Sequence, residues 1–188
     1  MKTALLFVFF CVVTTIFADE LSKFNGLRKK FAEDNGIPNM WALRYSKMLL
    51  DIAESIPCPT EPGADWRYYY TIGGKNGAEF NRHLFQWFDT YKKTNASMVT
   101  AQVKQWEKGT AYFLEYVNPT QTEIACVDKR CYIKSTDLKL TIHYKRMCLF
   151  GPYNNIGMTV PIAQSSKRLP GTQCGPNGER QDRLCVPK

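Results

Sequence analysis

The feature that most constrains this chain is its set of six cysteines between residues 58 and 185: Cys58, Cys126, Cys131, Cys148, Cys174 and Cys185. An even number of cysteines in an exported chain reads as a disulfide framework, so three bridges are expected around a small core. A catalytic thiol would leave an odd partner. A zinc site calls for paired short spacings, and only Cys126 to Cys131 is short. Spacing alone leaves most of the connectivity open, although Cys174 and Cys185 are near enough in sequence to close a small loop at low entropic cost.

Export is read from the N-terminus. Lys2 precedes an almost unbroken apolar run from Leu5 to Val13, which contains the seventh cysteine, Cys11, and Ala18 stands just before Asp19 and Glu20. This is the pattern of a secretory signal peptide over residues 1–18, cleaved after Ala18. No later segment approaches the roughly 20 apolar residues of a membrane-spanning helix. A secreted, extracellular chain that does not span a membrane is therefore expected, and export argues against nucleic acid as a partner. Asn95-Ala96-Ser97 is a glycosylation acceptor sequence, whereas Asn118-Pro119-Thr120 is blocked by its proline. The length, 188 residues, suits one domain with a small appendage, and 44% apolar with 22% charged residues argues against a disordered chain. Two histidines exclude any site built on three imidazoles.

Periodicity gives helices first and strands later. Leu21, Phe24, Leu27 and Phe31 recur at helical spacing up to Gly36 and Pro38. A second helix is expected from Met40 to Ile56, with Tyr45, Leu49, Ile52 and Ile56 as its buried stripe. Residues 59–78 read as a loop packed on the core by the rings of Trp66 to Tyr70. Phe80, Leu84, Trp87, Phe88 and Tyr91 share one face of a third helix between Glu79 and Lys93, and a shorter helix covers Met98 to Trp106. Thr110 to Val117 fits helix and strand equally. Alternation from Leu138 to Tyr144 predicts a half-buried strand ended by Gly151-Pro152, with Thr122 to Val127 as its partner and a further short strand within Met158 to Ala163. The expected class is α+β, in layers around one core.

Several segments resemble the CAP superfamily of cysteine-rich secretory, venom-allergen-like and pathogenesis-related proteins. Phe24-Asn25-Gly26-Leu27-Arg28 is similar to its opening helix motif His-Asn-x-x-Arg. Asn39 to Ala53, ending at Cys58, is similar to its second helix, with Tyr45 where tryptophan is usual. Trp87-Phe88 with Tyr91, Ile124-Ala125-Cys126-Val127 with Cys131, and Cys148-Leu149-Phe150-Gly151-Pro152 with Asn155 follow in the family's order. The Cys174…Cys185 loop resembles the tails of nematode members. The resemblance implies an α–β–α sandwich with three disulfides. Two of them, Cys58–Cys131 and Cys126–Cys148, follow the family pattern, and proximity supplies Cys174–Cys185. After the signal peptide over 1–18, the resemblance implies a CAP-like domain over 19–163 followed by a cysteine-containing tail over 164–188.

The resemblance also implies a central cleft of two histidines and two glutamates, and here the sequence departs from it. Phe24 stands at the first histidine, Lys75 and Thr90 at the two glutamates, and Tyr112 at the second histidine. Phe, Lys, Thr and Tyr offer neither a zinc donor set nor a carboxylate acid–base pair. No catalytic residue, metal or cofactor is therefore expected. The implied function is binding, to an extracellular protein or to a small lipid such as a sterol or fatty acid. The rival readings are a secreted hydrolase and a structural or seminal coat protein. His83 on the third helix and His143 on the long strand read as surface residues, and no Gly-x-Ser-x-Gly elbow is present. Lys129, Arg130, Lys134, Lys139, Lys145 and Arg146 cluster in the second half. They form either a solvated face or a patch for glycosaminoglycan, anionic lipid or an acidic protein, with Lys139, Lys145 and Arg146 facing the anionic surface.

Overall fold

A computed structural model of the chain describes residues 2–58, 60–72, 75–92, 94–110, 112–135, 140–156 and 168–188, with the side chains of 2–18, 72–81, 133–140 and 142 outside that description. Helix α1 (Lys2–Asn35) stops at Gly36, which takes φ 63°, a conformation that costs a glycine little. Its core-facing row is Phe24, Arg28, Phe31 and Asn35, all buried. Leu27, expected in that stripe, is 39% exposed. The buried row advances by three or four residues from Phe24, which puts Arg28 in the place that hydrophobicity assigned to Leu27.

The second helix is shorter than expected. Met40 to Tyr45 is not helical: strand β1 (Arg44–Tyr45) lies parallel to Glu123 and Ile124, and only Lys47–Ser55 forms α2. Asn25 decides this, because its amide donates to the Leu43 carbonyl (3.0 Å) and accepts from the Leu43 N–H (2.7 Å), claiming both groups a helix would use. Tyr45 is consequently 44% exposed rather than buried. Ser46 caps α2, its hydroxyl accepting from the Leu49 N–H. Leu49 and Ala53 then face the sheet, with Ile52 and Ile56 partly buried beside them.

The stretch read as a loop contains β2 (Arg67–Ile72). Three consecutive tyrosines hide a strand, since hydropathy does not alternate along them, yet their rings do: Tyr68 and Tyr70 pack with α2, Tyr69 on the opposite face. After α3 (Lys75–Tyr91), α4 (Ala96–Trp106) and the short α5 (Phe113–Val117), the chain forms β3 (Glu123–Ser135) and β4 (Leu140–Gly151). The segment that fitted helix and strand equally is thus helical from Phe113. The sheet order is β1-β3-β4-β2, with β4 antiparallel to both neighbours. Leu138 and the strand expected within Met158 to Ala163 lie outside the described residues.

Alternation along the strands separates two cores. Ala125, Met147 and Leu149 meet α2, while Ile124, Cys126, Cys148 and Phe150 meet α1. A third cluster joins Phe31, Phe88, Val99, Phe113 and Leu184 from α1, α3, α4, α5 and the tail. Helices on both faces of one sheet give an α–β–α sandwich. Cys58–Cys131 ties the end of α2 to β3, Cys126–Cys148 joins directly opposed residues of β3 and β4, and Cys174–Cys185 holds the tail. That tail is a hairpin, β5 (Gly178–Gln181) and β6 (Leu184–Pro187), docked on residues 40–42 by Cys185 N–H to Met40 O and Ala42 N–H to Cys185 O, each 2.8 Å.

Candidate functional site

The first helix motif is built into the frame of the sandwich. Arg28 is fully buried, and its guanidinium donates to the carbonyls of Trp41 (2.8 Å), Tyr116 (2.8 Å), Gln121 (2.9 Å) and Pro119 (3.4 Å). Burial pulls its pKa down to about 9, which leaves it charged at neutral pH. Arg28 and Asn25 together fasten α1 to the 41–43 segment and to the loop after α5, which fixes the position of Phe24 one turn earlier.

Phe24, at the first cleft-histidine position, is 5% exposed. Its ring lies 5.5 Å from Tyr116 and 5.6 Å from Phe150, and Tyr116 meets Tyr69 at 5.3 Å. These are packing distances between rings. Tyr112 caps α5 at its N-terminus with φ 58°, and its ring meets Trp106 edge-on at 5.4 Å. Phe24 and Tyr112 therefore reach the same short helix but join different ring clusters. Thr90 is exposed on α3, its hydroxyl donating to the Gln86 carbonyl within the helix (2.8 Å). Lys75 is the first residue of α3, with its side chain outside the described residues.

Burial raises the Tyr112 phenol, and it raises Tyr116 further, helped by neighbouring Tyr69. Both therefore stay protonated at neutral pH. Ring contacts that the sequence did not show complete the region. Tyr91, Trp87, Trp106 and Tyr112 form a run of ring contacts at 5.8, 5.7 and 5.4 Å from α3 across α4 to the α5 cap. The aromatic residues on α3 were legible, but their pairing with Trp106 needs the tertiary fold. Beneath them Arg67 and Glu115 form a buried ion pair.

No protein-family model and no curated protein matches the chain. Among solved structures it superposes on the crystal structure of hookworm platelet inhibitor with a TM-score of 0.50 at 16% identity, covering 89% of this chain and 87% of that one. The chain has a CAP-type fold. Na-ASP-1 aligns at 16% identity with a TM-score of 0.41, covering 88% of this chain and 44% of the longer one. The CAP-type sandwich and its three disulfides accord with the expectation drawn from the motifs.

Outside the cleft positions, one group among the described residues brings three residues with metal-donor atoms together: Glu20, Cys126 and Cys148. Its two sulfurs are joined to each other, so no thiolate is available there. Of the cations proposed to face an anionic surface, Arg146 is differently employed. It holds Glu20 through two hydrogen bonds, at 2.8 and 2.6 Å, and pairs with Asp128. Lys129 likewise turns inward, donating to the Ala53 carbonyl (2.7 Å) and to that of Ile56 at the end of α2. Lys145 is exposed and Lys139 lies outside the described residues. His83 is exposed on α3, and His143 is exposed with its ring 4.8 Å from Tyr132. No helix among the described residues is long and apolar enough to cross a membrane.

Proposed function

We propose that this chain is a secreted, non-enzymatic member of the CAP superfamily that acts by binding an extracellular partner, a protein or a sterol or fatty acid. The observation that carries the reading is the environment of Phe24. Where the family motif has a histidine, this chain has a phenylalanine packed among Tyr116 and Phe150. A phenylalanine ring stabilises a fold by packing and offers no exchangeable proton or metal ligand. Thr90, Lys75 and Tyr112 at the other three positions supply no carboxylate or imidazole. That a protein of this fold is named for inhibiting platelets supports a protein partner. Leader removal after Ala18 and a glycan on Asn95, which is exposed at the N-cap of α4, belong to the same reading.

Expression in a secretory host tests it. The medium should contain a chain beginning at Asp19 that carries an enzymatically removable glycan. Calorimetric titration with zinc should give no stoichiometric heat, and pull-down from extracellular fluid beside mass spectrometry of a lipid extract should identify a protein or a lipid. A one-to-one zinc site lost on changing Lys75 or Tyr112 would refute the reading, as would retention of the chain inside the cell.

A further inference from the structure

Among the described residues the pairing of β2 with β4 ends at Tyr144, while β3 and β4 stay paired beyond it, with Tyr132 opposite His143 and Lys134 opposite Thr141. The register slips at the base of this stretch: Asp128 faces Arg146, and the next pair is Cys131 with Tyr144. Lys129 and Arg130 on one strand thus oppose Lys145 on the other. Such an irregularity re-aims side chains. It sends Lys129 to the carbonyl end of α2 and leaves Arg130 exposed.

The result is an open groove of about 550 Å³ lined by Asp128, Arg130, Tyr132, His143, Tyr144 and Lys145. Tyr132 is 60% exposed, and the edge-on contact with His143 holds its ring. The Asp128 carboxylate is matched by Arg146. Among the described residues Arg130 and Lys145 enter no ion pair. From residue 128 to 146 the chain carries six lysines and arginines against two aspartates. Two cations without an ion-pair partner beside an exposed ring in contact with His143 select a ligand with closely spaced negative charges and an apolar ring face.

We propose that this groove binds a sulfated polysaccharide, with one sugar ring stacked on Tyr132 and its sulfates held by Arg130 and Lys145. An acidic peptide carries charge but no rigid face for Tyr132, and an open groove suits a linear chain better than an enclosed head group. The planar guanidinium of Arg130 suits the oxygens of a sulfate through paired N–H donors. This deepens the extracellular binding reading and rests on it, since sulfated polysaccharides are met outside the cell.

The test is calorimetry of the purified, disulfide-intact protein with a heparin-derived octasaccharide, beside polyglutamate of equal charge. Binding should weaken steeply as salt rises, because the cations displace condensed counterions. Polyglutamate should bind at least roughly tenfold more weakly at the same salt. The pair Arg130→Gln and Lys145→Gln should reduce affinity about tenfold or more and flatten the salt dependence. Tyr132→Ala should reduce affinity with the salt dependence unchanged. All three side chains are exposed, and unchanged thermal melts establish folding; Tyr132→Ser and Arg130→Ala serve where a first variant melts early. Equal binding to polyglutamate, or octasaccharide binding indifferent to these substitutions, would overturn the proposal. The measurement uses purified protein, so its outcome is independent of leader cleavage, which sequencing of the secreted chain reads separately.

Discussion

The guanidinium of Arg67 lies against the carboxylate of Glu115 in a two-point contact, Nε to Oε2 at 2.8 Å and Nη2 to Oε1 at 2.9 Å, with both side chains at most 1% exposed. The remaining donors of Arg67 go to the carbonyls of Glu107 (3.1 Å), Gly109 (3.0 Å) and Asn154 (2.8 Å). One side chain of β2 thereby fixes the α4–α5 turn, α5 itself and the loop after β4. A buried pair of this kind gains little over a well-packed apolar replacement, but breaking it leaves a charge without a partner.

Glu115→Leu alone should therefore destabilise the fold by about 3–5 kcal/mol. The double change Arg67→Met with Glu115→Leu should recover part of that loss, and the carbonyls left by Arg67 should limit the recovery. Urea unfolding of the two single variants and the double variant measures the coupling. Additive losses would mean that the two charges act independently.

The second prediction concerns the motif Asn25…Arg28. Asn25→Ala removes both bonds to Leu43 and should cost about 1–3 kcal/mol, since a buried backbone N–H and carbonyl lose their partners. Arg28→Lys keeps the charge but cannot reach carbonyls on three sides, so it should be less stable than wild type despite its conservative appearance. Urea midpoints read both. An Arg28→Lys variant as stable as wild type would show that charge alone matters at this position.

These residues also show where sequence reading reaches its limit. The even cysteine count, the helix α3 and a strand running through His143 to Tyr144 were legible, because each leaves a local pattern in the sequence. Arg28 and Arg67 were not, because hydropathy places an arginine outside until a set of carbonyls or a carboxylate is brought to it from distant segments. β2 was hidden by three adjacent tyrosines, whose amphipathic rings suit either face. The start of α2 was misplaced because Met40 to Tyr45 has helical spacing, and only the tertiary clamp from Asn25 diverts it. At the candidate site, the residue types at Phe24, Thr90 and Tyr112 were readable, but the packing of Tyr116 and Trp106 around them depends on how α5 docks.

Alkaline pH should unfold the protein through its tyrosines. Burial, the leading cause in each case, raises Tyr70 and Tyr144 to about 12 and Tyr68 higher still. The folded state therefore holds protons that the unfolded chain releases near pH 10. Stability is full below that value and is lost as pH rises toward 12. Thermal melts of the disulfide-intact protein across this range should fall steeply, and Tyr70→Phe with Tyr144→Phe should flatten the fall. A melting temperature unchanged up to pH 12 would mean that these phenols ionise without cost in the native state.

The last prediction asks whether the family cleft can be rebuilt. Phe24→His with Tyr112→His returns two imidazoles to the positions the motif implies. At residue 24 the imidazole enters a space bounded by Tyr116, Tyr69 and Phe150, where ring contacts are apolar. An unpaired buried polar group costs about 1–3 kcal/mol, and the smaller ring loses packing besides. At residue 112 the ring contact with Trp106 is lost from a backbone already held at φ 58°. The double variant should therefore melt below wild type and take up no zinc, because Thr90 and Lys75 still supply no carboxylates. Partner binding should change only as far as stability does. The competing possibility is that Phe24 and Tyr112 contact the partner directly, which predicts wild-type stability with abolished binding. Melts and affinity measured on one preparation separate the two, and a stable, non-binding variant would move the functional site to this cleft.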